Sequence, residues 1–520
     1  MRIERTKNAT RNIRTGLLLR VYQMVVPFLM RTAMIHFMGV EYLGLNSLFN
    51  SILHILNLAE LGVGAAMVFS MYKPIAEDDT QRICALMALY RRYYRLIGLV
   101  IAAAGLLVLP FVPRLISGGL PAELNVYVLY LLSLGATVLS YWLFAYRNCL
   151  LQAHQRLDVA SKITIAVSTI QFALQLLIII YLKNYYLYTI VSMLCTVLNN
   201  ILTAMITIKK YPQYRPEGKL EAGEVRVING KIRDLFAGKL GAVVLQYADT
   251  VVISAFLGLA ALAVYQNYFF IVSSILGVVE ILLSSITAGL GNSFVTEGKD
   301  KNYRDLLKFT FLFTWLTGVC TCCFLGMYQP FMFIWVGEEL MLGFGMVICY
   351  AVYFFMYTLN RLCSVYKDAA GLWHQDRYRA FVTAGVNLSL NLLTVRFWGL
   401  YGILLSTVLS MVVVGIPWQL HNLFTMAFPG KKHEYCRLLG KMLALTAVAG
   451  TVVCSLCGVI EAAPWVKLVL CAVVSVIVPN AIFFVILHRN EQFRPAVQFV
   501  DRLTKRRFNL EKILLRGGRI

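Results

Sequence analysis

The sequence predicts an all-α integral membrane protein of about fourteen transmembrane helices, each a stretch of some 20 apolar residues able to cross a hydrocarbon layer. Three observations carry this. The 520 residues are 59% apolar and 14% charged, with a mean hydropathy of +0.70, whereas soluble domains run at roughly 45–50% apolar and 25% charged. The apolar stretches recur along the whole chain, and only helices satisfy their own backbone hydrogen bonds where water is missing. The basic residues, finally, are distributed with one sidedness.

The elements follow in order. Spans are expected over 15–37, 43–72, 95–112, 124–146, 159–182 and 185–208, forming an N-terminal six-helix lobe over 1–208. A hydrophilic cytoplasmic linker occupies 209–233. Spans over 234–257, 262–290, 306–335, 340–366, 378–397 and 401–428 make a C-terminal six-helix lobe over 234–428. An additional pair, 438–460 and 464–487, lies within 429–487, and a basic cytoplasmic tail covers 488–520. Its charges alternate with Val497, Val500, Leu503, Phe508, Ile513 and Leu514, the pattern of an amphipathic helix on the inner leaflet, with a solvated tail as the alternative.

A net charge of +22 does not point to nucleic acid, because of where the charges sit. With the amino terminus inside, outward connections hold only Arg114, Lys183, Arg396 and Lys467, while Arg20, Arg31 and Arg361 fall within spans. Every other Lys and Arg lies in the tails, the inward connections or the helix ends beside them, which is the positive-inside pattern of a multi-pass protein of the cytoplasmic membrane with both termini cytoplasmic. The twelve cysteines lie in or beside spans without secreted-type spacing. Cys320, Cys322, Cys323 and the Cys454/Cys457 pair have no His or carboxylate nearby and read as small apolar filler. The span behind the basic amino terminus is too long for a cleaved signal peptide.

An internal repeat is visible. Shifting the chain so that Gly39 meets Gly258 also sets Phe37 on Phe256, Leu43 on Leu262, Leu45 on Val264 and Phe49 on Tyr268, and brings Glu60 within one position of Glu280. With two runs of six spans, this predicts a duplicated unit in parallel orientation, two pseudo-symmetric lobes around a central cavity.

Ionisable and amide groups inside spans are expensive, so they mark cavities or pairs. Arg20, Pro27 and Arg31 share an arc of the first span. Asn46, Asn50, His54, Asn57 and Glu60 step by three or four along the second, predicting a continuous polar face; interhelical bonding is the alternative. The second unit carries Gln246 and Asp249, then Ser273, Gly277, Glu280, Ser284 and Thr287, then Tyr353, Tyr357, Asn360, Arg361 and Ser364, and finally Asn387, Asn391 and Thr394. The arginines suit phosphate and the amides and Tyr hydroxyls suit sugar hydroxyls. The candidate substrate contacts in a central cavity are therefore Arg20, Arg31, Asn50, His54, Asn57, Tyr357, Asn360, Arg361, Asn387 and Asn391. Glu60, Asp249 and Glu280 are candidates for coupling to a proton or Na⁺, and an Asp or Glu paired with Arg361 for structure alone is the competing reading. No phosphate loop and no H-E-x-x-H occurs, so ATP drive is not expected, and no catalytic group, metal or cofactor is predicted.

The segment from Asp249 to Gly258, followed by Val264-Tyr265-Gln266-Asn267-Tyr268, resembles the seventh-to-eighth helix signature of Wzx-type polysaccharide flippases. Gly39 to Leu45 with Leu58 to Gly62, Asp368 to Trp373, and Phe397 to Gly402 are similar to the same family. The resemblance implies membership of the multidrug/oligosaccharidyl-lipid/polysaccharide (MOP) exporter superfamily, not an enzyme. It implies alternating access, ion-gradient drive, and cavity arginines at Arg20 and Arg31. The expected activity is translocation of a polyprenyl-diphosphate-linked oligosaccharide for surface polysaccharide biosynthesis, with membrane lipids and polysaccharide assembly proteins as partners. A cation-coupled multidrug antiporter of the same superfamily and a membrane glycosyltransferase or polymerase are the alternatives, the last disfavoured by short outward connections.

Overall fold

A computed structural model describes residues 5–60, 62–118, 120–121, 123–503 and 511. Helices follow one another with short turns: α1 (Arg5–Phe37), α2 (Val40–Leu56), α3 (Val63–Ala76), α4 (Thr80–Val108), α5 (Val126–Trp142), α6 (Asn148–Ala153), α7 (Leu157–Leu177) and α8 (Tyr185–Lys210). The second half comprises α9 (Ala222–Thr296), α10 (Lys299–Val336), α11 (Phe344–Ala369), α12 (Trp373–Asp376), α13 (Arg379–Ser410), α14 (Ile416–Asn422), α15 (Lys432–Val459), α16 (Pro464–Leu487) and α17 (Phe493–Leu503). No strand occurs among the described residues.

Among the described residues ten helices are long and apolar enough to cross a membrane, or eleven when the bent pair Val126–Trp142 and Ala145–Ala153 is taken as one span. Two of the ten are 58 and 55 residues long, nearly three times what a hydrocarbon layer of roughly 30 Å needs at about 1.5 Å per residue. Each holds a glycine with non-helical backbone, Gly258 (φ 89°, ψ 175°) and Gly399 (φ 53°, ψ −131°), where two helices meet at a kink. The fourteen-span expectation requires each of these to divide two passes and α2 with α3 to form one broken span.

That break corrects the second span, which the polar stepping predicts to be continuous. α2 ends at Leu56, Asn57–Glu60 tighten into a 3₁₀ turn, and Gly62 takes a left-handed φ of 91° before α3 begins. Only glycine enters that region without a Cβ penalty. Helix also begins at Ala222, inside the stretch expected as a polar linker, with Arg82 on Glu224 at 2.5 Å and the Tyr93 hydroxyl donating to Asn229 at 2.6 Å.

The chain divides into two compact units, Met1–Gln266 and Asn267–Ile520. Gly39 (φ 122°) and Gly258 (φ 89°), which the expected repeat sets on one another, both have positive φ where helices meet. In the first unit Gly44 lies against the backbone at Leu259, whose carbonyl oxygen is 2.1 Å from where a Cβ would stand. Any side chain there would drive the two segments apart.

In the second unit, α10, α15 and α16 share an apolar cluster that includes Phe311, Met442, Val453 and Phe483. Phe493, Ala496 and Val497 of α17 are buried in the same cluster. α17 is therefore amphipathic, and its apolar face packs on the protein's own helices where the tail's pattern predicts a lipid leaflet. Phe508, Ile513 and Leu514 lie outside the described residues.

Candidate functional site

Each unit holds its own polar constellation. In the first, Arg20 and Arg31 are half-buried on α1. The Tyr188 hydroxyl on α8 lies within electrostatic reach of Arg31, and the Arg20 Nε is enclosed without a hydrogen-bond acceptor among the described residues. On α2, Asn50 and His54 are exposed on the surface of the unit. The His54 ring stacks on Tyr247 of α9, centroids 4.7 Å apart and 9° from parallel. Three residues on, Asn57 has a buried side-chain oxygen without a donor. Asp249 is buried on α9, one residue before Thr250, whose hydroxyl accepts from Gln266 at 3.0 Å.

Glu60 leaves this stripe because the 3₁₀ turn rotates it. Tyr94 of α4 and Tyr141 of α5 each donate a hydroxyl to one carboxylate oxygen, at 2.5 and 2.6 Å, and Tyr90 donates in turn to Tyr94 at 2.7 Å. The result is a chain of hydroxyls closing on one acid, with all three tyrosines buried. Glu60 borders a cavity of about 310 Å³, walled also by Asn148, Gln152, Thr164, Asn199 and Asn200. Sequence reasoning singled out none of these neighbours. Tyr90 and Tyr94 stand one turn apart, and Asn199-Asn200 is an amide pair inside an apolar span, so a search for intramembrane polar groups would have found both.

In the second unit, Arg361 on α11 embraces Glu280 on α9 through two hydrogen bonds, its Nε to one oxygen and Nη2 to the other at 3.0 Å. The ion pair that the competing reading expects is formed, and it is not sealed: the side chains are 38% and 33% exposed. Tyr357, one turn before Arg361, lies within its electrostatic reach. Half-buried Asn360 accepts from Gln419 at 3.1 Å. Asn387 and Asn391 depart from the expected wet wall. Both are fully enclosed within the unit, Asn387 donating to Thr407 across the Gly399 kink at 2.9 Å and Asn391 to Asn387 at 3.4 Å. Amides placed so act as interhelical bonds.

A second ionic cluster went unread in the sequence. Lys367 and Asp376 are buried and paired at 2.9 Å, with Arg379 on the other Asp376 oxygen at 2.8 Å and Asp368 on Lys367 at 2.7 Å. It pins the turn between α11 and α13. The corresponding turn of the first unit carries Tyr146-Arg147 and His154-Gln155 where this one carries Tyr366-Lys367 and His374-Gln375, a constant offset that a wider search for the repeat would have met. There the His154 ring packs on Tyr211 and Tyr214, centroids 4.3 and 5.6 Å away, and burial pushes its pKa below the ordinary histidine value.

Among the described residues no three His, Cys, Asp or Glu side chains come together as metal ligands. No family model matches the chain, and no curated protein matches it. Solved structures do. The lipid II flippase MurJ in an inward closed conformation superposes with a TM-score of 0.65 at 14% identity, covering 92% of this chain and 99% of that one. A multidrug resistance MATE family transporter of the MOP superfamily, inward-facing, gives 0.57 at 14% identity over 81% and 99%. The Vibrio cholerae MATE transporter VcmN gives 0.54 at 15% identity over 82% and 99%. The chain has the all-helical fold of these transporters.

Proposed function

We propose that this chain is a flippase that carries a polyprenyl-diphosphate-linked oligosaccharide from the inner to the outer leaflet of the cytoplasmic membrane, for surface polysaccharide biosynthesis. The observation that carries the proposal is the set of guanidinium groups within apolar helices, Arg20, Arg31 and Arg361, on a fold shared with a lipid II flippase. An intramembrane arginine keeps its charge and binds phosphate oxygens through two parallel bonds. It is expensive in hydrocarbon unless it has such work or a partner. In this reading both termini are cytoplasmic, and transport proceeds by alternating access. Arg20, Arg31 and Arg361 meet the diphosphate, Asn50, His54, Asn57, Tyr357 and Asn360 serve the saccharide, and Glu60, Asp249 or Glu280 couples the cycle to an ion. Asn387 and Asn391 are left to packing.

Cation-coupled drug antiport is the second reading, favoured by the likeness to MATE transporters. It needs an acidic, aromatic site and gives the arginines no task. Arg31→Ala and Arg361→Ala separate the two. Under the flippase reading each abolishes surface polysaccharide, with the protein present in the membrane at normal amounts. Polysaccharide at wild-type levels in both variants overturns the flippase reading.

A further inference from the structure

Neither Arg20 nor Arg31 lines the cavity beside Glu60, and its walls all belong to the first unit. We propose that it is a seat for one neutral sugar residue of the transported saccharide, a proposal that takes its ligand class from the flippase reading.

Size is the first ground. About 310 Å³ corresponds to roughly ten waters at about 30 Å³ each, and it stands at the small end of ligand cavities, which run from roughly 300 to 1,000 Å³. One sugar ring with its hydroxyls fits within it with room to spare. A bare cation would leave most of it empty, and the wall carries one carboxylate with no second acid beside it.

Hydrogen-bond inventory is the second. A sugar hydroxyl both gives and accepts, so its site mixes acceptors with amide donors. Glu60 supplies acceptors that Tyr94 and Tyr141 hold in place, each oxygen having lone-pair capacity beyond the tyrosine bond. Asn148 lines the cavity, its side-chain oxygen enclosed and without a donor among the described residues. Asn199 meets Thr164 only at 3.5 Å, the limit of a hydrogen bond, while Asn200 is held by Ser140 at 2.8 Å. Amides on α6 and α8 thus stand with different degrees of engagement around one wet space.

The third ground is backbone conformation. Phe144 borders the cavity with φ 62°, ψ 8°, a left-handed geometry rare for an aromatic residue, and its ring is 43% exposed. Strain of this kind persists where surrounding structure enforces it and gathers at ligand sites. An aromatic face beside a carboxylate and amides is the combination that covers the apolar side of a sugar ring while its hydroxyls are bonded.

The test uses the purified full-length chain in detergent, with D-glucose, D-galactose and N-acetyl-D-glucosamine as probes in saturation-transfer difference NMR. At least one sugar should receive transfer to its ring protons. Asn199→Leu and the cavity-filling Thr164→Trp should each cut that signal at least fivefold. Absence of transfer to all three sugars overturns the proposal, as does a signal that survives both variants. Should Thr164→Trp fail to fold, Asn199→Leu alone decides. In cells, Thr164→Trp present at wild-type amounts should lower polysaccharide export about tenfold. Wild-type export by that variant removes the sugar seat and leaves the flippase reading, which stands or falls on Arg31 and Arg361. Cavity-dependent sugar binding by a chain whose arginine variants export normally keeps the seat and removes the flippase reading.

Discussion

Replacing both members of the Glu280–Arg361 pair by glutamine removes charge while keeping two long, hydrogen-bonding side chains of similar shape. The single variants Glu280→Gln and Arg361→Gln instead strand one charge. Breaking a fully buried pair costs about 3–5 kcal/mol, and an exposed pair is worth about 0–1 kcal/mol. With the two side chains 38% and 33% exposed, each single variant should lose an intermediate amount, about 1–2 kcal/mol after screening by solvent. The double variant should lose less than the two singles summed, because neither charge is left alone. A coupling of about 1 kcal/mol is the expected size for residues in contact. Equilibrium unfolding in mixed detergent measures the stabilities, and surface polysaccharide in cells measures export. If the guanidinium meets substrate, the double variant is folded and stable yet exports nothing. Full export by Glu280→Gln/Arg361→Gln would refute the reasoning and leave the pair a structural clasp. Stability falling by the full sum of the singles would refute the claim that the two groups compensate one another.

The ionic cluster at the α11–α13 turn and the ring of His154 give two further outcomes. At the α11–α13 turn, Asp376→Ala strands Arg379 and leaves Lys367 only the half-exposed Asp368, and should cost about 3 kcal/mol, whereas Lys367→Met leaves Asp376 paired with Arg379 and should cost clearly less. Melting temperatures rank the two, and equal losses would show that the cluster does not act as a unit. His154 is held below the ordinary histidine pKa by burial, so on lowering pH the unfolded chain takes up a proton before the folded chain does. Stability should therefore be flat above about pH 6.5 and fall as pH drops below it. His154→Phe should flatten that part of the pH–stability curve, and an unchanged slope would assign the proton uptake to another group.

Much of the helical framework was legible because apolar length and charge sidedness are local properties. The span expected over 464–487 coincides with α16 (Pro464–Leu487), and Gly39 and Gly258 both have positive φ. The break at Gly62 was not legible. A glycine in an apolar run is common in membrane helices, and only its left-handed φ shows that the helix stops. The steps of Asn387 and Asn391 place them on one helix face but do not say whether that face meets water or Thr407. The surroundings of Glu60 depended on partners 34 and 81 residues away, a distance at which no spacing rule operates. Likewise the alternation in the tail showed that one face of α17 wants cover; that α10, α15 and α16 supply it is a property of the folded chain.

That last feature has mechanical meaning. With Phe493, Ala496 and Val497 wedged among α10, α15 and α16, the two accessory helices are riveted to the wall of the second unit at the end next to α17 and cannot swing as an independent flap. Whatever displacement the second unit undergoes, they ride along as an outrigger. A chain shortened before Phe493 would uncover the greasy underside of that outrigger to water.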